Sequence, residues 1–93
     1  HVKTARGNKV ASTQVTKVIE VVSQTHGFNE DEKGSVLAHL IERGDLSQWG
    51  VSSAITRAAE DVADYDRASE LETIGGQIIE VPQNEWRQLV NAA

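Results

Sequence analysis

The strongest helix signal in this chain is the stretch NEDEKGSVLAHLIERG, which spans residues 29 to 44. The side chain of Asn29 can accept a hydrogen bond from the backbone N–H of Glu32, and the Glu32 carboxylate can accept one from the backbone N–H of Asn29, the reciprocal pattern of a capping box. The acidic first turn suits the positive end of the helix dipole, and Gly44 can end the helix in a left-handed conformation. The predicted buried stripe is Val36, Leu37, Leu40 and Ile41.

A second amphipathic helix is predicted before this stretch. It begins at Ser12 or Thr13, either of which can cap it, and it ends near His26, because Gly27 can take the left-handed position that follows a helix. Phe28 should then fold back onto the last turn as the hydrophobic partner of that motif. Apolar residues at helical spacing form the stripe of this helix: Val15, Val18, Ile19 and Val22.

A third helix is predicted after Gly44, with Asp45 or Ser47 as its cap. One face is apolar and consists of Val51, Ile55, Ala58, Ala59 and Val62. A different side carries Trp49, Ser52, Ser53 and Thr56. Acidic residues, which are unfavourable at the C-terminal end of a helix, then follow: Glu60, Asp61 and Asp64. We therefore expect the third helix to break at this point.

The sequence of residues 64 to 93 predicts a short helix, an extended segment and a final helix. Asp64 or Asp66 can cap the short helix, and Gly75-Gly76 would close it. Residues 77 to 81 are rich in β-branched side chains and flanked by Gly and Pro, which predicts an extended segment, an isolated strand that pairs with nothing. Pro82 stands near the start of the last helix, whose stripe is Trp86, Leu89, Val90 and Ala93.

Together these patterns predict an all-α domain over residues 12 to 93, preceded by a flexible basic arm over residues 1 to 11. The domain would be a small three-helix bundle with a C-terminal helix, extended segment and helix laid across it. We expect both tryptophans to pack in or near the core, with Trp86 and Ile78 covering Trp49. The alternative is that Trp49 and Trp86 contact a partner.

Composition excludes several classes of protein. A chain of 93 residues with 39% hydrophobic residues can bury one small core but not a deep cleft between two layers. No apolar run reaches the roughly 18 residues that span a bilayer, and none resembles a signal peptide, so we expect a cytoplasmic protein without membrane contact. The absence of cysteine removes disulfides and thiolate sites and leaves the redox compartment open. Because the chain starts at His1 and has no Met, we expect it to be part of a longer protein.

Charge is distributed unevenly along the chain. Residues 1 to 18 contain no acid and four basic residues: Lys3, Arg6, Lys9 and Lys17. Residues 19 to 93 contain fourteen acidic and five basic residues, a net charge of −9. A body of this charge repels phosphate, so nucleic acid could contact the basic arm more easily than the body.

Part of the sequence resembles a known group of proteins. The run LSQWGVSSAITRAAED at residues 46 to 61, continued by DYDRA at 64 to 68, is similar to the closing segment of a family of phage- and plasmid-borne proteins of unknown function. That family has Leu-Trp-Gly followed by Asn-Ala-Val-Thr, whereas here Ser53 replaces the Asn and Leu46 is not adjacent to Trp49. The resemblance covers about a quarter of the chain. It implies the C-terminal domain of a mobile-element protein, one that acts in DNA replication or recombination, and it implies no catalytic residues.

No catalytic or metal-binding pattern is evident in the sequence. The three histidines, His1, His26 and His39, have no neighbours at ligand spacing. The series Asp61, Asp64, Asp66 and Glu70 lacks the central Gly of a calcium loop. Ser52 and Ser53 have no nearby base, and Gly75-Gly76 is too short to hold a phosphate. We therefore predict a protein that is not an enzyme and needs no cofactor, metal or small-molecule substrate.

Two binding hypotheses from different classes follow. The first is an interaction or assembly domain that holds a protein partner, or another copy of itself, through a groove containing Trp49 and Trp86. The second is a nucleic-acid-binding domain in which the second and third helices form a helix-turn-helix. Its candidate contacts on the third helix are Gln48, Ser52, Ser53, Thr56 and Arg57, with phosphate contacts from Lys3, Arg6, Lys9 and Lys17. The acidic residues of the second helix argue against this alternative.

Overall fold

Residues 12 to 92 are described by the computed structural model, and they form five α-helices. The helices are α1 (Ser12–His26), α2 (Glu30–Arg43), α3 (Gln48–Glu60), α4 (Tyr65–Ile79) and α5 (Gln83–Ala92). The part of the chain that the structure describes contains no strand, so the all-α prediction is confirmed. The predicted arm over residues 1 to 11, with Lys3, Arg6 and Lys9, lies outside the described residues.

The junction between α1 and α2 has the caps that the sequence predicts. Gly27 adopts the left-handed conformation with a φ of 75°, and the backbone N–H groups of Gly27 and Phe28 both donate to the Ser23 carbonyl, at 2.7 and 3.0 Å. The Asn29 side chain accepts from the N–H of Glu32 at 2.8 Å, and the Glu32 carboxylate accepts from the N–H of Asn29 at 3.0 Å. The predicted capping box is therefore confirmed.

The start of α3 settles a choice that the sequence left open. Ser47 is the cap, because its side chain accepts from the N–H of Gly50 at 3.1 Å. Asp45 instead accepts from the N–H of Ser47 at 2.9 Å and folds over the first turn of α3. A Cβ atom at Gly50 would lie 2.6 Å from Cγ of Asp45 and would also meet the Asp45 backbone. Only glycine fits at position 50 without displacing this turn.

The core lies between α1, α2, α3 and α4, and α5 closes one end of it. The predicted stripes of α1 and α3 supply most of its fully buried side chains, as do Val36 and Leu40 from α2 and Leu71 from α4. Helices α3 and α4 form the most extensive packing, as an antiparallel pair joined by a short turn. They approach closely at Gly75, where a Cβ atom would lie 3.2 Å from both the Ser52 carbonyl oxygen and the Thr56 hydroxyl.

The prediction that Gly75-Gly76 ends the fourth helix and that residues 77 to 81 are extended is wrong. Helix α4 continues through both glycines to Ile79. Gly75 permits close packing against α3 instead of ending the helix, and Ile78, only 3% exposed, continues a helical stripe with Leu71 and Ile74. The β-branched composition of this segment therefore reflects burial at helical spacing, because tertiary packing outweighs a weak local preference for strand.

Ile41 also departs from prediction, since its side chain is 45% exposed. The buried positions of α2 are Glu32, Val36 and Leu40, spaced four residues apart. Ile41 follows Leu40, so its side chain is rotated by about 100° around the helix axis from the buried positions and remains exposed. The buried line of α2 thus includes a carboxylate in its first turn.

That carboxylate forms an ion pair that connects α4 to the junction of α1 and α2. The guanidinium of Arg67 donates to both oxygens of Glu32, from Nε and from one terminal nitrogen, each at 2.6 Å. The same terminal nitrogen donates to the Gly27 carbonyl at 3.0 Å. The Glu32 side chain is 4% exposed and that of Arg67 is 26% exposed. The bonds from Arg67 hold the pKa of Glu32 below its ordinary value against the opposing effect of burial.

Two glycine variants should separate steric from conformational effects. Gly50→Ala should lower the free energy of unfolding by about 3 kcal/mol, because its Cβ collides with the backbone and side chain of Asp45. Gly76→Ala, in the last turn of α4 with open space around its Cβ position, should raise it by about 0.5 to 1 kcal/mol. Urea unfolding followed by circular dichroism measures both, and equal effects would contradict the Asp45 contact.

Glu32→Gln should lower the free energy of unfolding at pH 7 by about 2 kcal/mol. The amide oxygen can still accept from Asn29, so the variant removes chiefly the charge. Because the pKa of Glu32 is lowered in the fold, the ion pair stabilises above the ordinary value of 4.5, and this contribution is lost as pH falls through the lowered value. The difference between wild type and variant should therefore shrink in acid.

The matched control is Glu70→Gln. Glu70 accepts from the remaining terminal nitrogen of Arg67 at 3.0 Å, but its side chain is 66% exposed. Its loss should change the free energy of unfolding by less than about 0.5 kcal/mol. Equal losses in the two variants would show that burial of Glu32 contributes nothing to the strength of the ion pair.

Candidate functional site

A surface depression lies between α5 and the start of α3. Trp86 of α5 is 6% exposed, and its indole N–H donates to the Leu46 carbonyl at 2.8 Å. A second bond holds the other end of α5, from the side-chain amide of Gln14 to the Val90 carbonyl at 3.3 Å. The placement of Trp86 in the core confirms one of the two tryptophan predictions.

Trp49 does not lie in the core, contrary to prediction, since its side chain is 70% exposed. It precedes the buried Val51 by two residues, which places it about 200° around α3 from the apolar stripe. Neither Ile78 nor Trp86 covers it: Ile78 is buried beneath α3, and Trp86 lies beside Trp49 as part of the same depression. The helical period therefore favoured an exposed Trp49, and the expectation based on ring size alone was wrong.

The two tryptophans line one groove of about 470 Å³, which we call the tryptophan groove. Its lining residues come from the α2–α3 connection, the first turn of α3, and α5: Leu46, Ser47, Gln48, Trp49, Gln83, Trp86, Arg87 and Val90. Leu46 and Trp86 are buried, whereas Trp49 and Arg87 are exposed. The groove therefore combines an apolar base with an aromatic edge.

The electrostatics of the tryptophan groove differ from those of the rest of the domain. Residues 12 to 92 contain fourteen acidic and six basic residues, a net charge of −8. Arg87 is nevertheless the one charged residue that lines the groove. Within the described part of the chain its guanidinium forms no ion pair or hydrogen bond, and the Trp49 indole N–H likewise has no acceptor. Both groups are free to bind a ligand.

Gln48 fixes the wall of the groove to the α4–α5 turn. Its side-chain amide donates to the carbonyl oxygens of Ile78, at 3.1 Å, Ile79, at 3.3 Å, and Val81. Ile78 and Ile79 are the last two residues of α4, whose carbonyl groups lack the usual donor four residues on, and Val81 lies in the turn that follows. No local sequence pattern indicates this role of Gln48, because its acceptors lie 30 or more positions away.

The structure does not bring the predicted nucleic-acid contacts of α3 together on one free face. Ser52 is 7% exposed and packs against α4 at Gly75. The side-chain amide of Gln48 is hydrogen-bonded to the end of α4, and the Thr56 hydroxyl donates to the Ser52 carbonyl at 3.1 Å. Ser53 is half-buried, so Thr56 and Arg57 are the exposed members of the five candidates on α3. Lys17, a candidate phosphate contact, is exposed on α1. The face predicted to read bases is largely the face that packs on α4.

A second cluster, which the sequence analysis missed, joins α2 to the end of α3. The Ser35 hydroxyl donates to Oδ2 of Asp61 at 2.8 Å, and Nε2 of His39 lies 3.1 Å from the same oxygen. The bond from His39 has the largest effect on Asp61 and the bond from Ser35 the next largest. Together they hold the pKa of Asp61 below its ordinary value. The four-residue spacing of Ser35 and His39 places them on one helix face, but nothing in the sequence pairs them with Asp61.

The geometry of this cluster differs from that of a hydrolase triad. The aspartate lies between the serine and the histidine and accepts from both, whereas a triad needs the histidine to take the proton of the serine. Among residues 12 to 92 no group of three or more potential ligands is placed to hold a metal ion. The cluster therefore serves to attach the C-terminal end of α3 to α2.

Comparison with protein-family models, with curated proteins and with solved structures finds no match to this chain. The resemblance to phage- and plasmid-borne proteins accordingly stays a prediction. Within the described range, none of the helices has the length and apolar character that crossing a membrane requires.

The two tryptophans should respond differently to truncation. Trp86→Ala should lower the free energy of unfolding by about 3 to 4 kcal/mol, because it removes a buried ring and leaves the Leu46 carbonyl without its donor. Trp49→Ala should change it by less than about 0.5 kcal/mol. Urea unfolding of both variants provides the measurement, and a large loss for Trp49→Ala would place that ring in the core.

Proposed function

We propose that this chain is a non-catalytic helical interaction domain of a phage or mobile-element protein, and that it binds protein partners through the tryptophan groove. The observation that carries the proposal is the exposure of Trp49 at the edge of a groove whose base is the buried Trp86. Tryptophan is costly to leave in water, and covering such a ring contributes about 2 to 3 kcal/mol to binding.

The composition of the groove matches that of protein-binding surfaces. Tryptophan and arginine are enriched among the residues that contribute most to protein–protein affinity, and Trp49 and Arg87 both line this groove. The base of Leu46, Trp86 and Val90 offers apolar area, while Gln83 and Ser47 offer hydrogen bonds. A partner segment with an apolar side chain and a carboxylate would satisfy both the groove and Arg87.

The groove is held in place before any partner arrives. The bond from the Trp86 indole to Leu46 fixes its base, and the bonds from Gln48 to the α4–α5 turn fix its wall. A preformed site loses less conformational entropy on binding than one that must order itself. This rigidity favours the groove over the exposed apolar residues Val21 and Ile41, which stand singly on helix faces.

The same geometry disfavours the nucleic-acid alternative. Ser52 and Gln48 are engaged in the packing of α3 on α4 and on the α4–α5 turn, so they are not available to base edges. The net charge of −8 over residues 12 to 92 also opposes approach to phosphates.

Selection from a library of displayed random peptides tests the proposal. Peptides that bind the wild-type domain should bind Trp49→Ala at least about tenfold more weakly, a loss of about 1.4 kcal/mol. Their binding should shift the NMR signals of Trp49, Trp86 and Arg87. Ile41→Ala, which truncates an exposed apolar residue elsewhere, is the matched control and should bind like the wild type.

Two outcomes would overturn the proposal. One is a selection that yields no peptide dependent on Trp49. The other is a set of peptides whose NMR shifts lie outside the tryptophan groove. A duplex oligonucleotide titrated in parallel should leave the signals of α3 unchanged, whereas salt-sensitive shifts at Arg57 and Thr56 would favour the nucleic-acid alternative.

A further inference from the structure

Besides Trp49, the described chain exposes one other aromatic residue to a large extent. Tyr65, the first residue of α4, is 83% exposed. Asp64 and Asp66 flank it and are both exposed. Asp64 is occupied as the cap of α4, where it accepts from the N–H of Arg67 at 3.2 Å, while Asp66 forms no ion pair within residues 12 to 92. The start of α4 thus presents an aromatic ring next to a free carboxylate.

This arrangement complements the tryptophan groove. The groove offers an aromatic edge at Trp49, an apolar base and one unpaired cation, Arg87. A tyrosine ring can stack on an indole, and its hydroxyl can bond to groove amides such as that of Gln83. A carboxylate beside the ring can then accept from the Arg87 guanidinium, a strong and directional contact.

The two surfaces lie at opposite ends of the α3–α4 pair. Trp49 is in the first turn of α3, and Tyr65 follows the turn after α3 ends at Glu60. The 13 residues of α3 separate these ends by about 20 Å. A chain therefore cannot place Tyr65 in its own groove, and a contact between them must join two copies.

We propose that the tryptophan groove of one copy binds Tyr65 of a second copy, with Asp66 of the second copy paired to Arg87 of the first. The proposal rests on the proposed function, whose groove it uses, and it names a second copy of this chain as the occupant. Because each copy contributes a different surface, the contact is head-to-tail and leaves a free groove at one end and a free tyrosine at the other.

The choice of occupant follows from the exposed apolar residues of the domain. These are Val21, Ile41, Trp49 and Tyr65 within the described range. Only Tyr65 is an aromatic residue outside the groove, and only Tyr65 has an acidic residue on each side. Two domains of charge −8 repel at long range, and a pair between Arg87 and Asp66 would offset part of this repulsion at the contact.

Sedimentation velocity over concentrations from about 10 μM to about 1 mM tests this contact. The average mass of the wild type should rise with concentration above the 10.1 kDa of one chain. Trp49→Ala and Tyr65→Ala should each remain monomeric, with association at least about tenfold weaker. Both side chains are exposed, so both variants should stay folded, and Ile41→Ala is the control that should associate like the wild type.

Mixing the two deficient variants is the decisive measurement. Trp49→Ala retains its tyrosine and Tyr65→Ala retains its groove, so an equimolar mixture should form a heterodimer and stop at twice the mass of one chain. Arg87→Glu should also abolish association, and the double variant Asp66→Arg, Arg87→Glu should restore it by reversing both charges.

Several results would overturn the contact. A wild type that stays monomeric at about 1 mM, or a mixture that does not recover association, excludes a second copy as the occupant. A dimer that is lost in Trp49→Ala but kept in Tyr65→Ala excludes the tyrosine. In each case the proposed function is judged separately by the peptide selection: peptides that depend on Trp49 would leave it standing, and their absence would remove both proposals.

Discussion

The carboxylate of Glu32 is the point on which the packing of the helices depends. It accepts from the backbone of Asn29 to start α2, and it accepts two bonds from Arg67 of α4. Arg67 also donates to Gly27, the residue that ends α1. One buried ion pair therefore fixes the start of α4 relative to the α1–α2 junction. Because a buried charge without its partner is strongly unfavourable, arrangements that separate Arg67 from Glu32 are destabilised relative to this one.

The position of the tryptophan groove follows from that arrangement. With the start of α4 attached at the α1–α2 junction, its C-terminal end lies beside the first turn of α3, where Gly75 allows close approach and Gln48 binds the turn that follows. This turn directs α5 back across the α2–α3 connection, and Trp86 then bonds to Leu46. Trp49 stays exposed because the stripe of α3 faces the other way, and it becomes the outer edge of the groove.

An exposed tryptophan, a buried tryptophan and an unpaired arginine share one preformed groove, and this combination is the basis of the proposed protein-binding function. The net negative charge of the domain would oppose acidic partners at long range, whereas Arg87 would attract a carboxylate at the groove itself. The exposed Tyr65 at the far end of the domain has the complementary chemistry. The two surfaces together would allow the domain to assemble in series, which connects the proposed interaction function to self-association.

Most caps and most apolar stripes follow from local sequence patterns, with the cap of α3 and the position of Ile41 as exceptions. The capping box of Asn29 and Glu32, the left-handed glycines at 27 and 44, and the break after Glu60 all depend on contacts within a few residues, so local physical chemistry suffices to predict them. Three features depend on tertiary contacts: Gly75 packs against α3 instead of ending α4, Arg67 binds Glu32, and Trp49 and Trp86 share a groove. These features join residues 19 or more positions apart, and helical periodicity gives the face of a residue but not the neighbour that covers it.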